Sequence, residues 1–251
     1  MSDVLYARSG RVARITLNRP DVRNAISRQM LQTLERSLDR ALAEDGVDVI
    51  VLRGAGRDFC AGEDLRELSE APPEPAEAVA IVERFQNVTR QIMLGHKPVV
   101  CVTQGWAIGA GGAWPLNADF TLWSETSRMR FPEAGHGLYA SGGVTWLLEE
   151  ACGPARAREI VWTGEDVNAD ALVHDRIAPR LTPADEIDAA LDRLLEKLLS
   201  LPSASLTRYK TAQADRIRDR LEAALESEKR QMLDAVRAMR ETQPAFSLNP
   251  R

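Results

Sequence analysis

Residues 98–113 read PVVCVTQGWAIGAGGA, an apolar run that leads into a glycine-rich loop. Pro98–Val102 has the continuous apolar, β-branched character of a strand covered on both faces, and the small residues of Gly105–Gly112 let backbone approach a ligand or a helix closely. The same combination of an apolar strand and a small-residue turn occurs earlier in the chain, where the run Val47–Leu52 is followed by Phe59–Leu65, FCAGEDL. Buried strands that each end in a small-residue turn are typical of a parallel sheet with crossover helices.

Further strands and helices alternate around this pair. Val12–Leu17 alternates apolar and polar residues as a half-buried strand does, and Ala118–Trp123 has the pattern of a third buried strand. Ser27 is placed to cap an amphipathic helix whose leucines follow at three- and four-residue spacing, and Ala76–Leu94 is a second amphipathic helix. This alternation predicts an α/β fold.

From about Asp185 the pattern becomes helical. Asp185–Leu199 and Leu206–Arg240 place apolar residues at three- and four-residue spacing, and a break at Leu201–Ser203 separates them. We therefore predict two parts, an α/β core over residues 1–184 and a helical region over residues 185–251.

Composition excludes several classes of protein. The chain has 251 residues, 44% hydrophobic and 27% charged, which suffices for a large core without disulfides or a structural metal. A net charge of −5 opposes nucleic-acid binding. Apolar runs fall short of the ~18–20 residues of a membrane span, and the N-terminal MSDVLYARSGR has no signal-peptide core. Scattered cysteines and histidines predict no metal site and a reducing, cytoplasmic location.

One carboxylate follows the two turns in surroundings that suit an acid or base. Glu133 lies in Met129–Gly137, MRFPEAGHG, among apolar and small residues, where burial would raise the pKa of the carboxyl toward the general acid/base range. Taken singly, each segment is more typical of an ordinary turn or a plain loop carboxylate than of a functional site. In combination, two turns with outward backbone N–H groups and a carboxylate are the equipment of enolate chemistry. A nucleotide-binding oxidoreductase is disfavoured, because the glycines fit no dinucleotide pattern.

Six segments give the chain a resemblance to the crotonase family, the enoyl-CoA hydratase/isomerase superfamily, from Ile15 to about Leu181. They are Leu17–Pro20 with Asn24-Ala25, Phe59–Leu65, Lys97–Val99, Gly105–Gly112 with Ala118-Asp119, Phe131–Glu133 with Gly137, and Thr163–Glu165. The resemblance implies a ββα spiral core with a C-terminal helical oligomerisation region, assembled as a homotrimer or homohexamer. It implies an acyl-CoA substrate, with coenzyme A as part of the substrate and no separate cofactor.

The resemblance also implies roles for individual residues. The backbone N–H groups of Glu63 and Ala110 would form an oxyanion hole, and Glu133 would be the catalytic acid/base. Arg23 would meet the coenzyme A phosphates or remain a solvated arginine, and His136 would line the acyl pocket or be a plain loop histidine. The full set expected to bind the substrate or coenzyme A is Arg23, Ala25, Ala61, Gly62, Asp64, Leu65, Gly109 and His136.

One departure from the family pattern bears on the reaction. Family hydratases hold the attacking water with two glutamates; the second falls on Glu133, but the first falls on Ala113. A single carboxylate favours double-bond isomerisation over hydration. A hydratase or hydratase-lyase acting on an aromatic or unusual acyl-CoA, and a weakly active or inactive acyl-CoA-binding homologue, remain the alternatives. We expect the Glu63 side chain to point to the surface rather than to replace the missing carboxylate.

No sequence motif identifies the acyl group of the substrate. We expect pocket size to depend on Ser69–Gln91 and on helices of a partner protomer. Near the C-terminus, Phe246 resembles the terminal aromatic of the family, but Glu241-Thr242 replaces the usual Lys-Arg pair, so we expect no coenzyme A phosphate contact there.

Overall fold

The computed structural model describes residues 2–71 and 73–242, with side chains as far as residue 238. The predicted Phe246 feature lies outside the described residues. The strands are β1 (Val4–Ser9), β2 (Val12–Leu17), β3 (Val49–Gly54), β4 (Val99–Thr103), β5 (Trp106–Ile108), β6 (Phe120–Ser124), β7 (Arg128–Arg130) and β8 (Leu181–Thr182). The helices are α1 (Arg28–Ala43), α2 (Leu65–Glu70), α3 (Pro75–Leu94), α4 (Ala110–Asn117), α5 (Val144–Cys152), α6 (Pro154–Thr163), α7 (Ala169–His174), α8 (Ile187–Leu199) and α9 (Ser203–Thr242).

The main sheet has six strands in the order β1-β2-β3-β4-β6-β8. Only β1 and β2 pair antiparallel; the other neighbours are parallel, with Ile50 of β3 opposite Val99 of β4. Both faces of β3 and β4 are covered: Ile50 and Cys101 pack toward α1 and α3, whereas Val51 and Val100 pack toward α8. Coverage on both faces is why these strands are uniformly apolar.

A second, smaller sheet follows the first. After leaving β4 the chain forms β5, which pairs in parallel with β7, and Cys60 bridges Ala107 on the other side of β5. Each successive unit therefore has a strand in the main sheet, a short extended segment in the second layer and then a helix or helical turn. This repetition confirms the predicted α/β class and its spiral of ββα units.

The C-terminal helices pack onto this core. α8 covers the main sheet, and α9 runs along α3. Near the start of α9, the buried Lys210 ammonium donates hydrogen bonds to Asp119 at 2.8 Å and to the Ile92 carbonyl at 2.8 Å. The predicted break between two helices is confirmed. No helix in the two described ranges is long and apolar enough to cross a membrane.

Local signals account unevenly for these elements. Ser27 caps α1 as expected, accepting a hydrogen bond from the Met30 N–H at 3.1 Å. Strand β5 lies inside the stretch that we predicted to be a glycine-rich loop. Its three residues are too few to show the alternation of apolar and polar residues that would predict a strand. Strand β1 is mostly exposed and has no apolar face that would predict it.

Asn24 joins the segment before α1 to the loop that leads into the second layer. It is buried, with φ of +55°, and its Oδ1 accepts a hydrogen bond from the Arg19 N–H at 2.8 Å. Its Nδ2 donates to the carbonyls of Ala55, Asp58 and Phe59 at 2.9, 2.9 and 3.1 Å. A single side chain therefore satisfies the backbone of two segments that sequence reasoning treated separately.

Replacing Asn24 by Ala should destabilise the protein by about 2 kcal/mol or more, because buried backbone groups lose their partner. The measurement is the urea midpoint with an unchanged slope. Asn18→Ala is the matched control, since Asn18 makes an exposed hydrogen bond to Ser2, and it should cost less than about 0.5 kcal/mol. Equal midpoints for the two variants would contradict the role given to Asn24.

Candidate active site

Two backbone turns meet at one end of the second layer. Gly62 has φ of +81°, and a Cβ placed there would lie 2.7 Å from the Ile108 carbonyl oxygen, so only glycine permits the approach. Ile26 pairs with the same turn, donating to the Gly62 carbonyl at 2.8 Å and accepting from the Asp64 N–H at 3.0 Å. The Glu63 N–H between these two groups therefore faces away from Ile26, toward the start of α4.

Two backbone N–H groups at this junction are unpaired. Ala110 is the first residue of α4, so its N–H has no acceptor within the helix and lies at the positive end of the helix dipole. Within residues 2–71 and 73–242, neither the Ala110 N–H nor the Glu63 N–H donates a hydrogen bond. Both residues line a cavity of about 460 Å³. Their N–H groups are available to an oxygen bound there.

The Glu133 carboxyl lies beside this junction. Its Oε1 is so close to Gly109 that a Cβ on Gly109 would lie 2.8 Å away. Its Oε2 is buried and has no hydrogen-bond partner among the described residues. Burial, opposed by a hydrogen bond from its own backbone N–H and aided by the nearby Glu63 carboxyl, raises the pKa of Glu133 to about 7. The predicted upward shift is confirmed, and this group changes protonation state near neutral pH.

The Glu63 side chain does not point to the surface, so that expectation is wrong. Glu63 lines the cavity, and burial raises the pKa of its carboxyl to about 7, with Arg28 opposing the shift and Glu67 adding to it. The geometry of the extended chain explains this orientation. The Glu63 N–H faces the place where the two turns meet, and the side chain lies between α1 and α3, beside Leu31 and Phe85.

The remaining wall of the cavity is mainly apolar. It is built from α2, α3, α9 and the segment after Glu133. Its apolar side chains are Leu65, Leu68, Ile81, Val82, Phe85, Leu138, Met232 and Val236. An apolar group bound between α3 and α9 would bury its surface against these residues.

The structure brings most of the predicted site residues into this cavity. Those that line it are Ala61, Gly62, Glu63, Leu65, Gly109, Ala110, Glu133 and His136. Three others do not line it: Arg23, Ala25 and Asp64. The Asp64 side chain caps α2 and forms an ion pair with Arg19 at 2.8 Å. Arg23 is exposed, lies 3.8 Å from Asp58, and accepts the Ala61 N–H through its carbonyl.

Sequence reasoning missed the contribution of α9. Met232 and Val236 of this chain line the cavity; the contribution expected from a partner protomer stays a prediction. The buried Glu228, one turn earlier on α9, accepts hydrogen bonds from the Gly143 N–H and the Thr145 hydroxyl, both at 2.9 Å. No local pattern could show this docking, because an amphipathic stripe does not identify the surface that it meets.

A profile of the enoyl-CoA hydratase/isomerase family matches residues 7–246. The chain belongs to that family. The 1,2-epoxyphenylacetyl-CoA isomerase of Escherichia coli (strain K12) is 34% identical over 161 residues, which are 63% of this chain and 62% of that protein. The crystal structure of an enoyl-CoA hydratase/isomerase from Xanthobacter autotrophicus Py2 matches with a TM-score of 0.86 and 27% identity over 96% of this chain and 93% of that one. A Thermobifida fusca YX structure in complex with acetoacetyl-CoA has a TM-score of 0.76 and 28% identity, covering 90% and 95% of the two chains.

The resemblance to the family is thus confirmed, and Ala113 can be placed. Ala113 is buried in the core next to the cavity and does not line it. Gly142 lies over it, so that a Cβ on Gly142 would be 3.1 Å from the Ala113 Cβ. Ala113, where the resemblance puts the first glutamate of family hydratases, is therefore packed against Gly142 and offers no side-chain ligand for water.

Glu133→Gln should stabilise the protein more at pH 8 than at pH 5. Between the ordinary value near 4.5 and the raised pKa near 7, the folded state retains a proton that the unfolded state has lost, so stability falls as pH rises through this window. Glutamine removes the charge, and we expect a melting temperature roughly 3 °C or more above the native protein at pH 8. Thermal melts at the two pH values measure the difference.

Glu226→Gln, which alters an exposed glutamate on α9, is the control and should shift the melting temperature equally at both pH values. A Glu133→Gln shift independent of pH would contradict the burial of an ionisable carboxyl.

Proposed function

We propose that this chain isomerises the double bond of an enoyl-CoA thioester, moving it from C3–C4 to C2–C3. Glu133 carries the proton, and the N–H groups of Glu63 and Ala110 stabilise the enolate oxygen. The observation that carries the proposal is the buried, unpartnered Glu133 Oε2, in the same cavity as the two unpaired N–H groups.

The chemistry follows from these groups. The Glu133 carboxylate removes a proton from C2, and the electron pair of that C–H bond passes into the thioester as a dienolate. The oxyanion accepts hydrogen bonds from the Glu63 and Ala110 N–H groups, each worth roughly 3–4 kcal/mol if it acts as a strong donor. A proton delivered to C4 completes the shift, and one carboxyl can make both transfers. No metal or redox cofactor takes part, and coenzyme A remains on the substrate.

The apolar wall of the cavity favours a substrate whose acyl group is itself largely apolar. Side chains such as Phe85 and Met232 provide surface to bury, and no arginine or lysine other than Arg130 lines the cavity in the described chain. The Arg130 Nε is already hydrogen-bonded to the Gly164 carbonyl at 2.7 Å. An acyl group with a terminal carboxylate is therefore disfavoured.

The test compares 3-enoyl-CoA isomerisation with 2-enoyl-CoA hydration in the native protein and Glu133→Gln. We expect isomerisation to be the faster reaction, and the variant to lose roughly 10²–10⁴-fold in kcat because the proton carrier is gone. Faster hydration, or isomerisation that survives Glu133→Gln, would overturn the proposal.

Hydration is the second candidate, and the inward Glu63 carboxyl favours it. With Glu133 it places two carboxyls in one cavity, which is the number that family hydratases use to hold water. The same side-by-side assay separates the two reactions.

A further inference from the structure

The Glu63 carboxyl has no structural partner. Across the described ranges it forms no hydrogen bond and no ion pair. Arg28, the cation that acts on it electrostatically, instead donates to the Ala71 carbonyl and lies 3.3 Å from Glu77. Burial of a carboxyl without a partner is costly, and such groups concentrate at functional sites.

Structural roles available near Glu63 are filled by its neighbours. Asp64 caps α2, and Glu67 accepts the Arg28 N–H at 2.8 Å, which ties α2 to the start of α1. Neither helix needs the Glu63 side chain, so stability does not explain why a carboxyl is present at this point.

The two carboxyls stand at different points along a bound acyl group. Glu133 is next to Gly109 and therefore beside the oxyanion junction, where C1 and C2 of a thioester would lie. Glu63 reaches toward the apolar wall, where Leu68, Ile81 and Phe85 surround it. The same three side chains also line the main cavity, so an acyl chain bound against this wall would contact the Glu63 carboxyl.

We propose that the Glu63 carboxyl is a second acid/base group of this site and donates the proton to C4. The inference rests on the proposed isomerisation. Glu133 takes the proton from C2; Glu63, protonated at the start, releases its proton to C4 as the dienolate electrons form the C2–C3 bond. The proton on Glu133 then returns to Glu63, directly or through water, so the enzyme is unchanged and no co-reactant is consumed.

The electrostatics of the pair suit this division. Burial raises the pKa of both carboxyls to about 7, and the Glu63 carboxyl adds to the rise at Glu133, so near neutral pH a state with one carboxyl protonated and the other ionised is accessible. The other charged or titratable groups that face them are Arg28 and Glu67 near Glu63, and Arg130 and His136 across the cavity. A protonated donor and an ionised base are the starting state that the two transfers need.

Glu63→Gln is the decisive variant, because it removes the acid while keeping the backbone N–H and the side-chain shape. In D₂O with a 3-enoyl-CoA, Glu63→Gln should still exchange the C2 proton within about tenfold of the native rate, but isomerise roughly 10²-fold more slowly or worse. Glu133→Gln should lose both exchange and isomerisation. Glu70→Gln, which alters an exposed glutamate at the end of α2, is the matched control and should keep both.

The pH profile supplies an independent readout. Native isomerisation should be bell-shaped around neutral pH, rising as the base ionises and falling as the donor loses its proton. Glu63→Gln should lose the fall at high pH while melting at or above the native temperature, which shows that it is folded.

The outcomes distinguish a failure of the role of Glu63 from a failure of the proposed isomerase function. Glu63→Gln that isomerises at the native rate, while Glu133→Gln does not, overturns the role of Glu63 and leaves the proposed function standing. Equal loss of exchange and isomerisation in Glu63→Gln overturns the assignment to C4. A native protein that neither exchanges the C2 proton nor isomerises the substrate overturns the proposed function, and with it the role of Glu63.

Discussion

The site depends on how closely two backbone turns approach each other. Gly62 lies against the Ile108 carbonyl at a distance that no side chain would allow, and Gly109 lets the Glu133 carboxyl touch the start of α4 in the same way. Because the turns meet through the backbone of Gly62 and Ile108, the N–H groups of Glu63 and Ala110 are held by the sheet and a helix rather than by flexible side chains. Such preorganised donors stabilise developing charge without reorganising during the reaction.

The carboxyls of Glu63 and Glu133 lie beside these N–H groups in surroundings that disfavour the ionised form. The Glu133 Oε2 is buried without a hydrogen-bond partner among the described residues, and burial raises the pKa of both carboxyls, so the ionised forms destabilise the fold. Elsewhere the buried carboxyls are satisfied: Asp119 accepts from Lys210 and from the Val99 N–H, and Glu228 accepts from the start of α5. Among the described residues, the Glu133 Oε2 is the one buried carboxyl oxygen without a hydrogen-bond partner.

The far wall of the cavity comes from α9. Its docking combines Glu228, the bidentate pair between Arg90 and Glu222 at 2.8–3.1 Å, and the Gln86 amide on the Leu225 carbonyl at 2.6 Å. These contacts join α9 to α3 and to the segment behind Glu133. The apolar wall of the cavity is therefore held by contacts with α3 and with the start of α5.

The sequence by itself determined the α/β class, the buried strands, the two helices after Asp185, and the two small-residue turns and the carboxylate that meet at the cavity. Those features have local causes: apolar runs, helical spacing and small residues next to a carboxylate. Only the tertiary structure decided that Glu63 turns inward, that Asp64 is used as a helix cap, that Ala113 is sealed under Gly142, and that α9 closes the pocket. These depend on which surfaces meet across distant parts of the chain, and a side-chain pattern specifies an apolar face but not the face it packs against.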